Sequence, residues 1–196
     1  MKYKTIMQGA IVLGGLALGS AAMAAGPSAS MLANTCAGCH GTDGSSNGPA
    51  TPSIAGINGE YFIESMQAYR EGKRPATIMG RIAKGYSDEE IKLMAGYFAE
   101  QKLTRVDQGA DGKMAKAGKR LHDRYCEKCH EEGGRVSEDG GILAGQMMPY
   151  LSYSLADFTS GSREMPKKMK SKVDEMLKKA GNDSLDQLVH YYGSQK

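Results

Sequence analysis

The chain has 196 residues, which is enough for one medium domain or two small ones. Its 26 glycines and lack of tryptophan favour small units rich in loops. Lysine and arginine exceed aspartate and glutamate only slightly, at 25 against 22. We therefore expect no nucleic-acid partner, because such binding requires a concentrated basic surface.

The first 24 residues have the pattern of a secretory signal peptide. Lys2 and Lys4 lie near the start, an apolar run occupies residues 10–18, and small residues precede a cleavage position after Ala24. The apolar run is shorter than the roughly 20 residues needed to cross a bilayer. We therefore expect residues 1–24 to be removed on export to the periplasm, and we expect no membrane span in the remaining chain.

Four cysteines form two pairs, and each pair is followed immediately by histidine. The two motifs, CAGCH and CEKCH, are formed by Cys36, Cys39 and His40 and by Cys126, Cys129 and His130. This spacing is typical of c-type haem attachment, in which two thiols bind the porphyrin vinyl groups and the adjoining imidazole binds the iron. The sequence therefore predicts two covalently bound haem c groups.

Two other kinds of site use the same cysteine pattern: a structural zinc site with four thiolates, and a pair of thioredoxin-like redox centres. Neither explains the two histidines. Zinc sites usually have their cysteine pairs closer together than Cys39 and Cys126, and a thioredoxin centre belongs to a βαβ unit that the sequence does not indicate. Haem attachment is the better interpretation, and a Soret band would test it.

Helical periodicity follows the first haem motif, and no long alternating run predicts a strand. One helix is predicted near residues 59–71. A closing helix is predicted to begin at Ser87, where Ser87 and Glu90 form a capping-box pattern ahead of an apolar face. The chain is therefore expected to be all-α.

Met79 is the predicted second iron ligand of the first haem. It lies in a predicted glycine-rich loop between two helices and is well separated from His40. Met66 and Met94 are the alternatives, but they occur at helical spacing with other apolar residues and are expected in the core.

The second half repeats the first at an interval of about 90 residues. The matching residues are Ile54, Ala55, Gly56, Tyr61, Tyr69, Gly72 and Arg74 in the first half and Leu143, Ala144, Gly145, Tyr150, Phe158, Gly161 and Arg163 in the second. We therefore predict two similar domains, at 25–101 and 113–196, joined by a polar linker at 102–112. The helix near residues 59–71 is expected again near 148–159.

The second iron ligand of the second domain has more than one candidate. The methionines that follow the motif are Met147, Met148, Met165 and Met169. Met169 lies six residues after Arg163, close to the spacing of five in the first domain. Met165 is followed by Pro166, a pairing familiar at the ligand loop of many small cytochromes c. We predict Met169 as the ligand, with Met165 as the alternative.

Histidine and methionine on both irons would leave no open position for a substrate, and the soft thioether would raise the reduction potential. We therefore expect electron transfer without catalysis by this chain. A dihaem peroxidase would need one open or displaceable position on an iron.

The proximal histidines should each donate a hydrogen bond from the ring nitrogen that does not bind iron. The carbonyl of Pro52 is the predicted acceptor for His40. Gly141 occupies the position that matches Pro52 in the second domain, so the acceptor there stays open. His122 and His190 are expected to be ordinary surface or core histidines.

The mature chain resembles, nearly end to end, the dihaem cytochrome subunit of flavocytochrome c sulfide dehydrogenase, and it looks more distantly like cytochrome c4. The most specific stretches are TIMGRIAKGYS and KRLHDRYCEKCHEEGG, together with GPATPSIAG and MPKKM. The resemblance implies two tandem class I cytochrome c-like domains. It also implies the same cysteine and histidine ligands and Met79, and it leaves Met165 and Met169 as alternatives.

The same resemblance implies a periplasmic heterodimer with a separate FAD-containing flavoprotein subunit that oxidises sulfide. This chain would accept electrons one at a time and pass them to a downstream acceptor protein. No GxGxxG motif occurs here, so sulfide chemistry is not expected in this chain. The alternative is a freestanding carrier of the cytochrome c4 type that serves a terminal oxidase.

Overall fold

The computed structural model describes residues 26–137 and 140–196, and the predicted signal peptide at 1–24 lies outside the described residues. Within those two ranges the secondary structure is helical. No strand occurs there beyond an isolated antiparallel bridge between Glu131 and Val136. The all-α prediction is confirmed. No helix in the same ranges combines the length and apolar character needed to cross a bilayer.

The first unit contains five α-helices and one 3-10 turn. These are α1 (Ala29–Asn34), α2 (Ala37–His40), α3 (Gly59–Arg70), α4 (Met79–Ile82), the 3-10 turn Ala83–Gly85 and α5 (Asp88–Ala99). Helix α5 packs against both α1 and α3, so that Phe62 and Met66 meet Met94 and Phe98 in one core.

The second unit repeats this arrangement with one large difference. Its helices are α6 (Gly112–Tyr125), α7 (Glu131–Gly134), α8 (Met148–Ser160), α9 (Lys167–Ala180) and α10 (Asp183–Gly193). Helix α10 packs along α6 and also contacts α8 and α9. A fourteen-residue helix, α9, thus lies where the first unit has only α4 and a 3-10 turn.

Local signals account for the helices that the sequence predicted. Helices α3 and α8 begin at the predicted residues and end within one residue of the predicted ends. The capping box of α5 is present, because the Ser87 hydroxyl accepts from the Glu90 amide at 3.2 Å and the Glu90 carboxylate accepts from the Ser87 amide at 2.8 Å. Both predictions are confirmed.

Each unit contains the same tight backbone crossing beside its haem motif. The carbonyl of Gly44 accepts from the amides of Ile54 and Ala55 at 2.7 and 3.0 Å. In the second unit the carbonyl of Gly134 accepts in the same way from residues 143 and 144, at 2.9 Å each. Both glycines have a φ near +90°, a conformation that residues with a Cβ rarely adopt. The repeat therefore extends to the main chain.

The two units meet through a pair of reciprocal hydrogen bonds. Arg74 of the first unit donates to the Tyr150 hydroxyl at 2.7 Å, and Arg163 of the second donates to the Tyr61 hydroxyl at 3.1 Å. Because these residues are matched by the repeat, the contact has approximate twofold symmetry. Burial raises the pKa of Tyr61, but the two guanidinium charges outweigh it and lower that pKa below its usual value.

Each guanidinium is also held inside its own unit by a serine and an aromatic ring. Arg74 donates to Ser65 at 2.7 Å and lies 4.7 Å from the Tyr69 ring centre, and Arg163 donates to Ser154 at 3.3 Å and lies 4.1 Å from the Phe158 ring centre. These contacts hold each guanidinium over an aromatic ring, in a position from which it reaches the tyrosine of the other unit. A buried charge with this many partners is well satisfied.

A second interdomain contact has no twofold counterpart. The Gln146 side chain accepts from the Ser53 amide at 2.8 Å and donates to the Ser53 carbonyl at 2.9 Å. Both residues are buried. Ser53 directly follows Pro52. The two hydrogen bonds between Gln146 and Ser53 therefore fix the segment that approaches the first haem motif.

Candidate haem sites

The first haem motif is a single helical turn. The amides of Cys39 and His40 donate to the Cys36 carbonyl at 3.2 and 2.9 Å, which winds the motif so that His40 turns inward. Both cysteines are free thiols, with Cys36 packed against the first core and Cys39 exposed. Reduced thiols on one turn beside a buried imidazole are the donor set that covalent haem attachment requires.

His40 is held in the orientation of a metal ligand. It is buried, and its Nδ1 donates to the Pro52 carbonyl at 2.7 Å, so its Nε2 is available to bind iron. The prediction of Pro52 as acceptor is confirmed. Burial lowers the pKa of His40, against the opposing effect of the Pro52 hydrogen bond, which favours the neutral imidazole that ligates iron.

Met79 begins helix α4, so the residue predicted in a loop lies at the start of a short helix. It is half-buried and packs against the first core. Ile78 and Ile82 on either side of it are 46 and 38% exposed. Apolar side chains clustered around a thioether fit contact with the face of a haem.

The second haem motif has the same backbone geometry as the first. The amides of Cys129 and His130 donate to the Cys126 carbonyl at 3.0 and 2.9 Å, within 0.2 Å of the distances in the first unit. Cys126 is a free thiol packed against the second core, and burial raises its pKa to about 11. The donor set therefore fits a second haem c.

His130 differs from His40 in its hydrogen bonding. Its Nδ1 is buried, and no group in residues 26–137 or 140–196 accepts a hydrogen bond from it. Gly141, which the repeat aligns with Pro52, lies instead against the ring of Tyr61 in the first unit. Gly141 therefore does not serve His130 as Pro52 serves His40.

The four methionines that follow the second motif differ in how they pack. Met147 is 3% exposed and lies against Gly48 of the first unit, and Met148 packs against Gly193. Both side chains are therefore engaged in packing contacts within the protein. Met165 lies just before helix α9 and Met169 in its first turn, and both are half-buried.

Helical spacing relates Met169 to Met79. Met79 precedes the buried Ala83 by four residues, and Met169 precedes the buried Val173 by four. Residues at this spacing share one face of a helix. Met169 therefore lies on the inward-facing side of α9.

Sequence reasoning missed three features of these sites: helix α9, the reciprocal Arg–Tyr contacts and a polar cluster around His122. The available signals were the matched arginines and tyrosines of the repeat and the helical spacing of apolar residues in the lysine-rich stretch. His122 bonds to Glu127 inside the second haem motif, whereas His190 makes no such contact within the described residues. His122 is fully buried and bonded through both nitrogens, and His190 accepts from the Asp111 amide at 2.9 Å.

Comparison with known proteins places these features in context. The profile of the cytochrome c family, described as "Cytochrome c", matches residues 25–102. Cytochrome c4 of Pseudomonas aeruginosa is 32% identical over 158 residues, which cover 76% of this chain and 79% of that protein. The cytochrome subunit of sulfide dehydrogenase of Chlorobaculum tepidum is 50% identical over 68 residues, covering 35% of this chain and 61% of that subunit.

The comparison of folds leads to cytochrome c4 as well. The crystal structure of reduced recombinant cytochrome c4 from Pseudomonas stutzeri superposes with a TM-score of 0.73 at 25% identity. The superposition covers 86% of this chain and 97% of that protein. The helical repeat described above is therefore one that known proteins share along almost their whole length.

Proposed function

This chain belongs to the cytochrome c4 family of electron-carrying c-type cytochromes, and we propose that it is the electron-accepting subunit of a periplasmic flavocytochrome c sulfide dehydrogenase. The observation that carries the proposal is the 50% identity to the cytochrome subunit of sulfide dehydrogenase from Chlorobaculum tepidum. The partner would be a flavoprotein subunit whose FAD takes electrons from sulfide.

Two separate sets of residues would hold the two haem c groups. Cys36 and Cys39 would attach the first haem, with His40 and Met79 as the iron ligands. Cys126, Cys129, His130 and Met169 would do the same for the second haem, with Met165 as the alternative to Met169. When bound, each haem supplies one iron that cycles between two oxidation states one electron apart. Two such centres match the two electrons carried by a reduced flavin.

The protein residues keep those centres closed and in a fixed relation to each other. With a histidine and a methionine both bound to each iron, no position would remain for a substrate. The Arg74–Tyr150 and Arg163–Tyr61 contacts join the two units directly. Electrons could then cross between units without a large rearrangement.

Purification of the protein from its own host tests this function. We expect two haems per chain, together with flavin absorbance and a second subunit in equal amount. Addition of sulfide to that complex should reduce the haems, whereas the isolated cytochrome should be reduced much more slowly. Recovery of a lone dihaem protein without flavin would contradict the proposal.

A freestanding dihaem carrier to a terminal oxidase is the second candidate. It is favoured by the long match to cytochrome c4, which spans 79% of the Pseudomonas aeruginosa protein. The same purification distinguishes the two functions, because a freestanding carrier would elute alone and would be reoxidised by host membranes.

A further inference from the structure

A hydrogen-bonded group of three side chains lies beside the second haem motif. We call His122 of α6, Tyr192 of α10 and Glu127 of the CEKCH motif the polar trio. Nδ1 of His122 and the Tyr192 hydroxyl share a hydrogen bond of 2.9 Å, and Nε2 of His122 donates to the Glu127 carboxylate. That second hydrogen bond lowers the pKa of Glu127, so its carboxylate is charged at neutral pH.

The first unit is apolar at the corresponding positions. The counterparts of His122, Glu127 and Tyr192 are Leu32, Ala37 and Phe98. The last match is fixed by the main chain, because the amides of Gly56 and Gly145 donate to the carbonyls of Phe98 and Tyr192 at 2.8 Å in both units. Leu32 and Phe98 form part of an apolar core. The fold itself therefore does not require His122 and Tyr192 at these positions. Burying them is unfavourable unless they are fully bonded.

Glu127 also bridges the segment that carries His130. Its carboxylate accepts from the Gly133 amide at 3.2 Å. Glu127 lies three residues before His130 and Gly133 lies three residues after it, so one side chain closes the loop around the proximal histidine. Within this loop Glu132 and Gly133 have φ angles of 51° and 71°. A non-glycine residue in this region is strained and persists only when its surroundings hold it there.

The two proximal histidines are therefore supported in different ways. The imidazole of His40 is bonded directly to the Pro52 carbonyl, whereas Nδ1 of His130 has no acceptor within the described ranges. We propose that the polar trio is the positioning site of His130, because it fixes the loop on both sides of this residue. This role rests on the proposed binding of the second haem iron by His130.

Substitutions in the mature holoprotein test the role of the polar trio. Glu127→Ala breaks the contacts to both His122 and Gly133, whereas Tyr192→Phe removes the hydroxyl that bonds to His122 and that also contacts the Cys126 thiol. Glu127→Gln keeps an acceptor for both donors and serves as the conservative variant. Asp123→Ala is the matched control, because Asp123 adjoins His122 on the same helix but pairs at the surface with Lys119.

The readouts are the paramagnetically shifted haem methyl resonances of the ferric protein, which report imidazole orientation, and the separate reduction midpoints of the two haems. Met79→Ala identifies the signals of the first haem. We expect Glu127→Ala to move only the signals of the second haem and to change its reduction equilibrium about tenfold, or about 59 mV for one electron. Tyr192→Phe should have a smaller effect, and Asp123→Ala and Glu127→Gln should have almost none.

Three results would overturn the role of the polar trio. These are an unchanged second haem in Glu127→Ala, equal changes in both haems, and an effect of Glu127→Gln as large as that of alanine. Should Glu127→Ala fail to fold, Tyr192→Phe tests the role instead, and an unchanged second haem in this variant would overturn it. A mature protein with only one haem would instead refute the assignment of His130, so the two failures are distinguishable.

Discussion

The two units share a backbone and differ around the residues proposed as iron ligands. The haem-motif turns agree within 0.2 Å in their hydrogen bonds, and the crossings at Gly44 and Gly134 are alike. The proximal histidine of one unit is bonded to a carbonyl, and that of the other lies in a loop closed by Glu127. One methionine begins a four-residue helix, and the candidate Met169 begins a fourteen-residue one. One scaffold thus carries two different surroundings for its proposed iron ligands.

The largest expected effect comes from Met79→Ala, which tests the better-defined ligand. Loss of the thioether should open one iron position and lower the potential of the first haem by an amount on the order of 100 mV. The second haem should keep its potential. A spectroelectrochemical titration measures both, and Met66→Ala is the control within the core. An unchanged titration for Met79→Ala would exclude it as a ligand.

The second unit requires a pair of variants. We expect Met169→Ala to abolish the methionine-ligated spectrum of the second haem, with a change in potential comparable to that of Met79→Ala, and Met165→Ala to leave that spectrum intact. The reason is the position of Met169 on the inner face of α9, four residues before the buried Val173. Near-infrared and visible spectra of the two ferric variants provide the measurement. The opposite pattern would identify Met165 as the ligand.

The interdomain arginines should differ in their contribution to stability. Arg74 is 8% exposed with hydrogen bonds of 2.7 Å, whereas Arg163 is half-buried with bonds of 3.1 and 3.3 Å. We expect Arg74→Ala to lower the free energy of unfolding by about 3 kcal/mol and Arg163→Ala by about half as much. Urea unfolding of the holoprotein measures both.

The exposed Arg120 provides the control for these two substitutions, since its replacement by alanine should change the free energy of unfolding by less than about 0.5 kcal/mol. Equal losses for Arg74→Ala and Arg163→Ala would show that the two halves of the interface are energetically symmetric despite their different geometry.

The smallest effect concerns alkaline pH. Burial raises the pKa of Tyr69 to about 12, whereas its counterpart in the second unit, Phe158, cannot ionise. The contribution of the neutral Tyr69 is therefore fully present below pH 10 and is lost as the pH rises through 12. Tyr69→Phe should be neutral at pH 7 and more stable than the parent between pH 10 and 12. Thermal unfolding across this range tests it, with the exposed Tyr153→Phe as control.

Features governed by local rules could be predicted from the sequence. The haem motifs, the capping box at Ser87, helices α3 and α8 and the Pro52 acceptor all depend on short spacings or on one loop. Helix α9 was not predicted. Its ion pairs at helical spacing, such as Lys170 with Asp174, and the apolar Val173 and Met176 on its other side stabilise it as a helix.

Features that depend on distant parts of the chain could not be predicted in the same way. Arg74 and Tyr150 are 76 residues apart, and Tyr61 and Arg163 are 102 apart. The repeat showed that these residues match each other, but no spacing rule says that matched residues will touch. The pairing of His122 with Tyr192, 70 residues away, has the same origin.

The reciprocal Arg–Tyr contacts make the molecule comparable to a dimer whose partners share one chain. Each unit carries both an arginine donor and a tyrosine acceptor, so either surface is complementary to a copy of itself. A short covalent connection gives such surfaces an effective concentration of about a millimolar, and weak contacts then suffice to keep them together. The interface can therefore hold with modest contacts while the two haem motifs have different surroundings, as Pro52 and Glu127 illustrate.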